Sequence, residues 1–130
     1  MNTFQLRTPS MARLFVIRGV ASTDCVSIPL PCLIGRGQEA DLFIDSMLVS
    51  RRHCRLDLVD GKVHITDLGS LNGTIVNGQY IPENVSVELD NQSRFSIGSL
   101  TFELEFQPTE VVHSNSQVAR LCSQAALPRV

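Results

Sequence analysis

Hydrophobic and polar residues alternate along much of the chain in short runs that are typical of β-strands. The clearest run begins at Cys54, where Cys54, Leu56 and Leu58 fall on one face of a strand and the residues between them fall on the other. The same alternation recurs over residues 100–106. Residues 14–106 contain no amphipathic helical pattern of ordinary length. The pattern therefore predicts a fold made of short strands.

Turn-forming residues separate these runs. Asp60-Gly61 lies between two alternating segments and predicts a hairpin, and Asn72-Gly73 and Asn77-Gly78 predict two further tight turns. The remaining β-type runs are residues 14–17, 26–30, 32–34, 41–44, 63–65, 74–76, 79–81, 85–89 and 94–97. Many short strands at this spacing predict an all-β fold, an antiparallel β-sandwich.

The two ends of the chain differ from its middle. Residues 1–12 are mostly polar and are expected to form a flexible N-terminal arm, and residues 13–107 form the predicted domain. Residues 108–130 are rich in Ser, Gln and Ala. We expect this C-terminal tail to be disordered. The alternative is a short helix, since Val118, Leu121, Cys122 and Ala125 have helical spacing, but isolated helices of this length are marginal in water.

Composition narrows the class of protein. The chain has 130 residues, 43% of them hydrophobic and 18% charged, which suits one globular domain. A formal net charge of −2 argues against a surface that binds many nucleic-acid phosphates, although it leaves room for one local basic pocket. We expect no membrane partner, because no apolar run is long enough to span a bilayer.

The cysteines and the N-terminus suggest a compartment. The first twelve residues lack the apolar stretch of a secretory signal, and the four cysteines have no C-x-x-C spacing. These features predict a cytoplasmic protein with reduced thiols, with a structural disulfide as the less favoured alternative. The cysteines are Cys25, Cys32, Cys54 and Cys122.

Three polar clusters lie just outside or between predicted strands, where binding residues of a sandwich usually occur. They are Gly35-Arg36-Gly37, Ser50-Arg51-Arg52-His53, and the run from Asp67 to Thr74, which is followed by Asn77-Gly78. Arginine offers a planar fork that matches phosphate oxygens, a serine hydroxyl can donate one more bond, and loop N–H groups beside glycines can add others. The three clusters together predict a receptor for a dianion such as a phosphate group.

The order and spacing of these clusters resemble the forkhead-associated (FHA) domain over about residues 15–106. The shared pattern is G-R, then S-R-x-H, then G-S-x-N-G-T-x-x-N-G. The resemblance implies a β-sandwich of about eleven short strands, in which loops at one end bind phosphothreonine peptides. It also implies partners that carry phosphothreonine and belong to a Ser/Thr kinase pathway of signalling or assembly. No cofactor, metal or catalytic residue is implied.

The resemblance assigns a role to each matching position. Arg36 and Ser50 match the phosphate-binding arginine and serine, and Arg51 matches a position that often touches the phosphate or the peptide. Asn72 matches the asparagine that holds the peptide main chain, and Ser70 and Leu71 are assigned to peptide contacts beside it. The positions that are expected mainly to shape the loops are Gly35, His53, Gly73, Thr74 and Asn77.

One position departs from the family pattern. Leu71 stands where the family often has Thr, so a hydroxyl that can assist phosphate binding is absent. This loss is expected to weaken binding by on the order of 1 to 2 kcal/mol without abolishing it. Leu71 could instead contact the peptide or pack locally, and Met47, Leu48 and Val76 suggest further apolar contacts beside the phosphate.

Other functions are less well supported. An enzyme would have to use Ser50 and His53 as nucleophile and base, but their spacing does not make them face each other and G-x-S-x-G is absent. The histidines and cysteines are too scattered for a structural zinc site, and the Gly35 cluster lacks the lysine of a P-loop. We therefore predict a binding protein rather than an enzyme. The main alternative to phosphopeptide binding is a structural module that does not bind phosphate.

A hypothesis of self-regulation concerns the two ends of the chain. Thr3, Thr8 and Thr109 each precede an aliphatic residue by three positions. A phosphorylated arm could occupy the chain's own phosphate site at high effective concentration. The simpler interpretation, which we favour, is that these threonines are incidental.

Overall fold

The computed structural model describes residues 10–19 and 24–106, and this part of the chain consists of strands, turns and loops without a helix. Eleven strands follow one another. They are β1 (Met11–Arg18), β2 (Cys25–Pro29), β3 (Cys32–Gly35), β4 (Leu42–Phe43), β5 (Cys54–Val59), β6 (Lys62–Asp67), β7 (Thr74–Val76), β8 (Gln79–Tyr80), β9 (Ser86–Leu89), β10 (Arg94–Ile97) and β11 (Leu100–Glu105).

The strands form two sheets that pack as a sandwich. One sheet has the order β2-β1-β11-β10-β7-β8 and the other has the order β4-β3-β5-β6-β9. All neighbouring strands pair antiparallel except β3 and β4, which pair in parallel through Ile34 and Leu42. The predicted sandwich is confirmed, with this one parallel pair as a detail that the alternation pattern did not predict.

The core lies between the inner faces of the two sheets. Leu14, Phe95 and Leu104 come from the first sheet, Leu56 and Ile65 come from the second, and all five are buried. Burial of these apolar side chains is the main force that holds the sheets together. Alternate residues of β5, β6 and β11 point inward, as their period of two predicts.

Val76 belongs to this core. Its side chain is 8% exposed and its backbone pairs with Phe95 of β10. The hypothesis that Val76 contacts a ligand beside the phosphate is therefore wrong, because its side chain is used in packing.

Two of the predicted turns have the backbone that their sequences favour. Asp60 and Gly61 have φ angles of 53° and 78°, and Asn77 and Gly78 have φ angles of 48° and 90°. Two consecutive residues with positive φ make a turn whose twist matches that of the flanking strands. These turns close the β5–β6 and β7–β8 hairpins.

The sheet register brings three loops to one end of the sandwich. Cys54, at the start of β5, pairs with Ile34 near the end of β3 and with Asp67 at the end of β6. The residues that follow β3, precede β5 and follow β6 are therefore neighbours. We call the β3–β4, β4–β5 and β6–β7 connections the site loops.

The opposite end holds the β5–β6 turn and the places where the described chain begins and ends. Val59 pairs with Lys62 there, and Arg13 of β1 pairs with Glu105 of β11. The division into an arm of residues 1–12, a domain of residues 13–107 and a tail of residues 108–130 stays a prediction. We note that β1 already begins at Met11.

Two of the cysteines within the described ranges, Cys32 and Cys54, are free thiols. Cys32 and Cys54 are buried and Cys25 is partly buried, whereas Cys122 lies outside the described residues. Burial, with a smaller contribution from Asp41, raises the pKa of Cys32 to about 12. Burial also raises the pKa of Cys54. Both thiols therefore stay protonated near neutral pH, which makes them poor nucleophiles.

Candidate functional site

Arg36 lies at the first of the site loops, directly after β3. Its backbone N–H donates to the carbonyl of Ser50 at 3.0 Å, and its Nε donates to the carbonyl of Val49 at 3.0 Å. The two Nη groups have no hydrogen-bond partner within residues 10–19 and 24–106. The bond to Val49 thus fixes the Nε end of the Arg36 guanidinium group. The N–H groups on the two Nη atoms stay available to a ligand.

Gly35 allows the first and second site loops to approach each other. A Cβ atom at this position would lie 2.0 Å from the carbonyl oxygen of Arg51, which is far inside van der Waals contact. Gly37 donates its backbone N–H to the same oxygen at 3.1 Å. Glycine at position 35 is therefore a steric requirement of this close approach.

Ser50 joins the second and third site loops. Its Oγ accepts a bond from the backbone N–H of Leu71 at 3.0 Å. A hydroxyl that accepts one bond still has its own hydrogen to donate. Ser50 can therefore donate to an acceptor on a ligand while Leu71 holds the hydroxyl oxygen in place.

His53 is fully buried beneath the loops and connects them. Its Nδ1 accepts a bond from the backbone N–H of Ser50 at 3.0 Å, and its Nε2 lies 2.9 Å from the carbonyl of Gly73. Because Nδ1 is an acceptor, the ring proton is on Nε2, which donates to Gly73. Both ring nitrogens are thus bonded to backbone groups of the site loops.

The same bonds argue against a catalytic pair. A serine nucleophile needs a histidine nitrogen against its hydroxyl. Here the Ser50 hydroxyl is bonded to Leu71, and neither ring nitrogen of His53 is bonded to it. In addition, the described residues contain no group of three or more His, Cys, Asp or Glu that could hold a metal ion.

Asp67, at the end of β6, organises the third site loop. Its carboxylate accepts bonds from the backbone N–H groups of Gly69 and Ser70, both at 3.1 Å. It also accepts bonds from the hydroxyls of Ser70, at 2.5 Å, and Thr74, at 2.7 Å. Burial alone would raise the pKa of Asp67, but these bonds, with the Ser70 hydroxyl first, outweigh burial and lower that pKa.

Sequence reasoning did not assign this role to Asp67. A usable signal was present, because a carboxylate at the end of a strand is followed by small donors two, three and seven positions later. Asp commonly accepts bonds from N–H groups that follow it closely in a turn.

Ser70 and Thr74 use their hydroxyls inside the loop. Ser70 Oγ donates to Asp67 and accepts the backbone N–H of Gly73 at 3.0 Å, so it is engaged on both sides. Thr74 is fully buried. These contacts favour loop shaping for Ser70, and its assigned peptide contact stays a prediction.

Asn72 and Leu71 are the exposed members of the third site loop. Asn72 Nδ2 donates to the carbonyl of Leu48 at 2.9 Å, which ties this loop to the second one. The side-chain oxygen of Asn72 has no partner within the described residues. The amide is therefore positioned at an exposed place where it could accept a bond from a peptide N–H.

Asn77 lies apart from this cluster. Its Oδ1 accepts the backbone N–H of Arg94 at 2.9 Å, and its own N–H donates to the carbonyl of Arg94 at 2.8 Å. Asn77 thus shapes the β7–β8 turn and joins it to β10. The other predicted site residues share the loop end.

A cavity of about 410 Å³ lies beside Arg36 and is lined by Arg36, Gly37, Gln38, Glu39 and Arg51. Glu39 is paired with Arg52 at 3.4 Å. Within residues 10–19 and 24–106, neither Arg36 nor Arg51 forms an ion pair with a carboxylate. Two uncompensated guanidinium groups at one cavity favour a ligand with two negative charges.

Comparison with known proteins now identifies the family. The sequence model of the FHA domain matches residues 32–98, which contain all three site loops. The chain belongs to the FHA domain family. The family that the order of the motifs predicted is therefore confirmed. The predicted β-sandwich is confirmed as well.

Curated relatives of this FHA domain are bacterial regulators. The chain is 45% identical over 53 residues to the oxoglutarate dehydrogenase inhibitor of Corynebacterium glutamicum. The aligned segment covers 41% of this chain and 36% of that protein. The chain is 40% identical over 72 residues to the glycogen accumulation regulator GarA of Mycolicibacterium smegmatis. In this case the aligned segment covers 55% of this chain and 42% of that protein. The matched segment is thus less than half the length of either relative.

Solved structures of other proteins have a similar fold. One structure, from a structural and functional analysis of phosphothreonine-dependent FHA domain interactions, matches with a TM-score of 0.65 and 25% sequence identity. The match covers 77% of this chain and 100% of that chain. Mycobacterium tuberculosis EmbR in complex with a low-affinity phosphopeptide has a TM-score of 0.64 and 26% identity, over 77% of this chain and 25% of EmbR.

Proposed function

We propose that this FHA domain binds phosphothreonine-containing segments of partner proteins at its site loops. One observation carries the proposal. Arg36 and Ser50 are held by backbone groups of the loops, and each keeps unused donors at the same end of the molecule. Donors that are already positioned lose little freedom when a phosphate binds, which favours affinity.

The phosphate would be held by two kinds of bond. The outer N–H groups of Arg36 donate to phosphate oxygens as a fork, and Ser50 donates its hydroxyl hydrogen. Arg51 supplies the second positive charge beside the cavity that it shares with Arg36. Hydrogen bonds to a charged group contribute roughly 1.5–3 kcal/mol each, so these contacts can dominate the affinity.

The peptide backbone would be aligned by Asn72. Its amide is fixed through Leu48, so its free oxygen has a defined place at the exposed rim of the loops. Phosphothreonine is preferred over phosphoserine in this proposal because burial of one methyl group contributes about 0.8 kcal/mol. The β-branched ligand also has fewer side-chain rotamers to lose.

The biological role follows from this binding. We propose a regulatory module in kinase-dependent signalling or assembly that acts by binding phosphorylated partners in the cytoplasm. The names of its relatives, an inhibitor and a regulator, support a binding role rather than an enzymatic one. No helix in the described part of the chain is long and apolar enough to cross a membrane.

Binding of a phosphorylated arm to the chain's own site stays a prediction. Thr3, Thr8 and Thr109 all lie outside the described residues. A chain that is chemically phosphorylated at one of them should bind an external phosphopeptide more weakly than the unmodified chain. Full-strength binding of the external peptide would contradict this idea.

The proposed function is tested by titration with a degenerate phosphothreonine peptide library. Phosphoserine and unphosphorylated libraries serve as controls. We expect saturable binding to the phosphothreonine library, and we expect Arg36→Ala to weaken it by about 100-fold, because the forked bonds to the phosphate are lost. The matched variant is Arg94→Ala, which removes an arginine that is paired with Glu103 on the sheet surface.

Two results would contradict the proposal. Folded protein that binds none of the libraries would favour a phosphate-independent structural module. Equal losses in the Arg36 and Arg94 variants would mean that general charge, rather than the site loops, attracts the peptide.

A further inference from the structure

Two copies of the dipeptide Asn-Gly lie in turns of the described chain. Asn72-Gly73 belongs to the third site loop, and Asn77-Gly78 closes the β7–β8 hairpin. Asparagine is a chemically labile residue, and a following glycine makes it more so, because glycine has no side chain that hinders attack by its backbone nitrogen. The two copies share the same chemistry, so a difference in their reactivity has to come from the fold.

The reaction is an attack of the chain on itself. The glycine nitrogen gives up its proton to a base in solution and forms a bond to Cγ of the asparagine. The bond from Cγ to Nδ2 breaks, and Nδ2 takes up a proton and leaves as ammonia. Water then opens the resulting five-membered imide at either of its carbonyl carbons, which gives aspartate or isoaspartate. Because the attacking nitrogen and the target carbon belong to the same chain, only water and a base are needed besides.

At Asn72-Gly73 the fold opposes this reaction. The backbone N–H of Gly73 donates to Ser70 Oγ at 3.0 Å, so the attacking nitrogen is engaged. The side-chain Nδ2 of Asn72 donates to the carbonyl of Leu48 at 2.9 Å, which fixes the side chain against the second site loop. Both bonds have to break before the ring can close, and each of them lowers the rate.

At Asn77-Gly78 the same groups are arranged in favour of the reaction. Within residues 10–19 and 24–106, the N–H of Gly78 and Nδ2 of Asn77 have no hydrogen-bond partner. Oδ1 of Asn77 accepts the backbone N–H of Arg94 at 2.9 Å. Negative charge develops on this oxygen when Cγ is attacked, and a donor that is already in place stabilises the tetrahedral intermediate.

The β7–β8 turn also admits water and base. Asn77 and Gly78 are both exposed, and a Cβ atom at Gly78 would have nothing within 4 Å. Gly73 is partly buried by contrast, since a Cβ atom there would lie 2.9 Å from two ring carbons of Tyr80. The nitrogen of Gly78 can therefore lose its proton and move toward Cγ without displacing a neighbour.

We propose that Asn77 is a site of spontaneous deamidation in the folded protein and that Asn72 is protected from it. The product carries a carboxylate in place of a neutral amide, which adds one negative charge to a chain whose formal net charge is −2. Aspartate keeps an oxygen that accepts the Arg94 N–H, whereas isoaspartate adds a methylene group to the main chain of a two-residue turn. The inference does not depend on phosphate binding.

The test ages the folded chain at mildly alkaline pH and follows each asparagine by peptide mapping with mass spectrometry. The same chain in concentrated denaturant is the matched control, because neither glycine nitrogen is held by the fold there. We expect Asn77 to react at least about ten-fold faster than Asn72 in the folded chain, the factor that follows from one hydrogen bond that must first break. In denaturant the two rates should become similar.

A variant locates the protection of Asn72. Ser70→Ala removes the acceptor of the Gly73 N–H and leaves the β7–β8 turn as it is, so the rate at Asn72 should rise while the rate at Asn77 stays the same. Ser86→Ala is the matched control, because Ser86 is an exposed serine of β9. It should change neither rate.

Three results would overturn the inference. One is a folded chain in which Asn72 reacts as fast as Asn77, because the bonds of the site loop would then give no protection. Another is a folded chain in which neither asparagine reacts over a period that modifies both in denaturant, because the fold would then protect the hairpin as well. The third is an unchanged rate at Asn72 in Ser70→Ala, which would remove the assigned cause of protection.

Discussion

The two ends of the sandwich are built in different ways. At the loop end, long irregular connections are tied together by side chains, with Arg36 bonded to Val49, His53 to Gly73 and Asn72 to Leu48. At the opposite end, Asp60-Gly61 closes a hairpin with two residues of positive φ. A compact turn needs only the right backbone angles, whereas the loops need a network of bonds between distant parts of the chain.

The two ends also differ in the balance of charge. A cavity of about 220 Å³ at the opposite end includes Lys62 and Glu88, which pair at 3.4 Å, and Asp90 adds a negative charge. At the loop end, Arg36 and Arg51 have no ion-pair partner within the described ranges, although the whole chain has a net charge of −2. In the proposed function, anion binding therefore depends on which local charges are left unpaired, and not on total charge.

The largest difference in stability and binding between the two ends is expected when one glycine at each end is replaced by alanine. Gly35→Ala would place Cβ 2.0 Å from the Arg51 carbonyl, so the first two site loops would have to separate. We expect a loss of about 3 kcal/mol in the free energy of unfolding, and phosphopeptide binding that is weakened beyond detection.

The matched change at the opposite end is Gly61→Ala. Nothing lies within 4 Å of a Cβ there, so only the φ of +78° opposes the substitution. This variant should lose about 1 kcal/mol and bind phosphopeptide normally. Denaturant unfolding and titration of both variants measure the difference, and equal effects on binding would contradict the comparison.

Replacement of histidine should have the next largest effect. His53→Ala leaves the partly buried N–H of Ser50 and the partly buried carbonyl of Gly73 without their partner, so we expect a loss of about 2 kcal/mol and weaker phosphopeptide binding. His64→Ala removes a partly exposed histidine from the outer face of β6, and we expect stability to change by less than about 0.5 kcal/mol. If denaturant unfolding shows that His53→Ala is as stable as His64→Ala, that result would argue against the role of His53 in holding the loops.

The smallest effect concerns the acid dependence of stability. The pKa of Asp67 is lowered in the folded protein from an ordinary value of 3.8. Its stabilising contribution is therefore fully present above pH 3.8 and is lost as the pH falls through the lowered value. Asp67→Asn should cost about 1 kcal/mol at neutral pH, and the gap to the original protein should narrow below about pH 4.

Asp60→Asn supplies the control for this experiment. Asp60 lies in the hairpin at the opposite end with a φ of 53°, which asparagine also tolerates. Its unfolding curves should follow those of the original protein across the pH series. A gap for Asp67→Asn that stays constant with pH would show that the carboxylate charge is not what the loop needs.

Much of this fold is predictable from local sequence because its strands are amphipathic and its turns are marked. The alternation in β5 and the Asp60-Gly61 and Asn77-Gly78 pairs determine local geometry without reference to the rest of the molecule. The parallel pairing of β3 with β4 was not predicted, because a strand of two residues has no periodicity.

Candidate site residues can be named from the sequence where their side chains have distinctive chemistry, but the backbone groups that hold those side chains cannot. Arg36, Ser50 and Asn72 stand in recognisable motifs. The carbonyls of Val49 and Leu48, which hold Arg36 and Asn72, leave no mark in the sequence, because every residue has a carbonyl. Val76 was misassigned because an apolar residue near a motif can be either core or contact, and only the sheet register distinguishes the two.

The register of β1 against β11 has a practical consequence for handling the molecule. Because Arg13 lies opposite Glu105, the described chain enters and leaves the sandwich side by side, at the end remote from the site loops. A fluorophore, a surface tether or a fused reporter attached beside either strand would stand at the rear of the module. Surface-immobilised protein would then present its site loops to solution, and a force applied between the two attachment points would load neighbouring strands first.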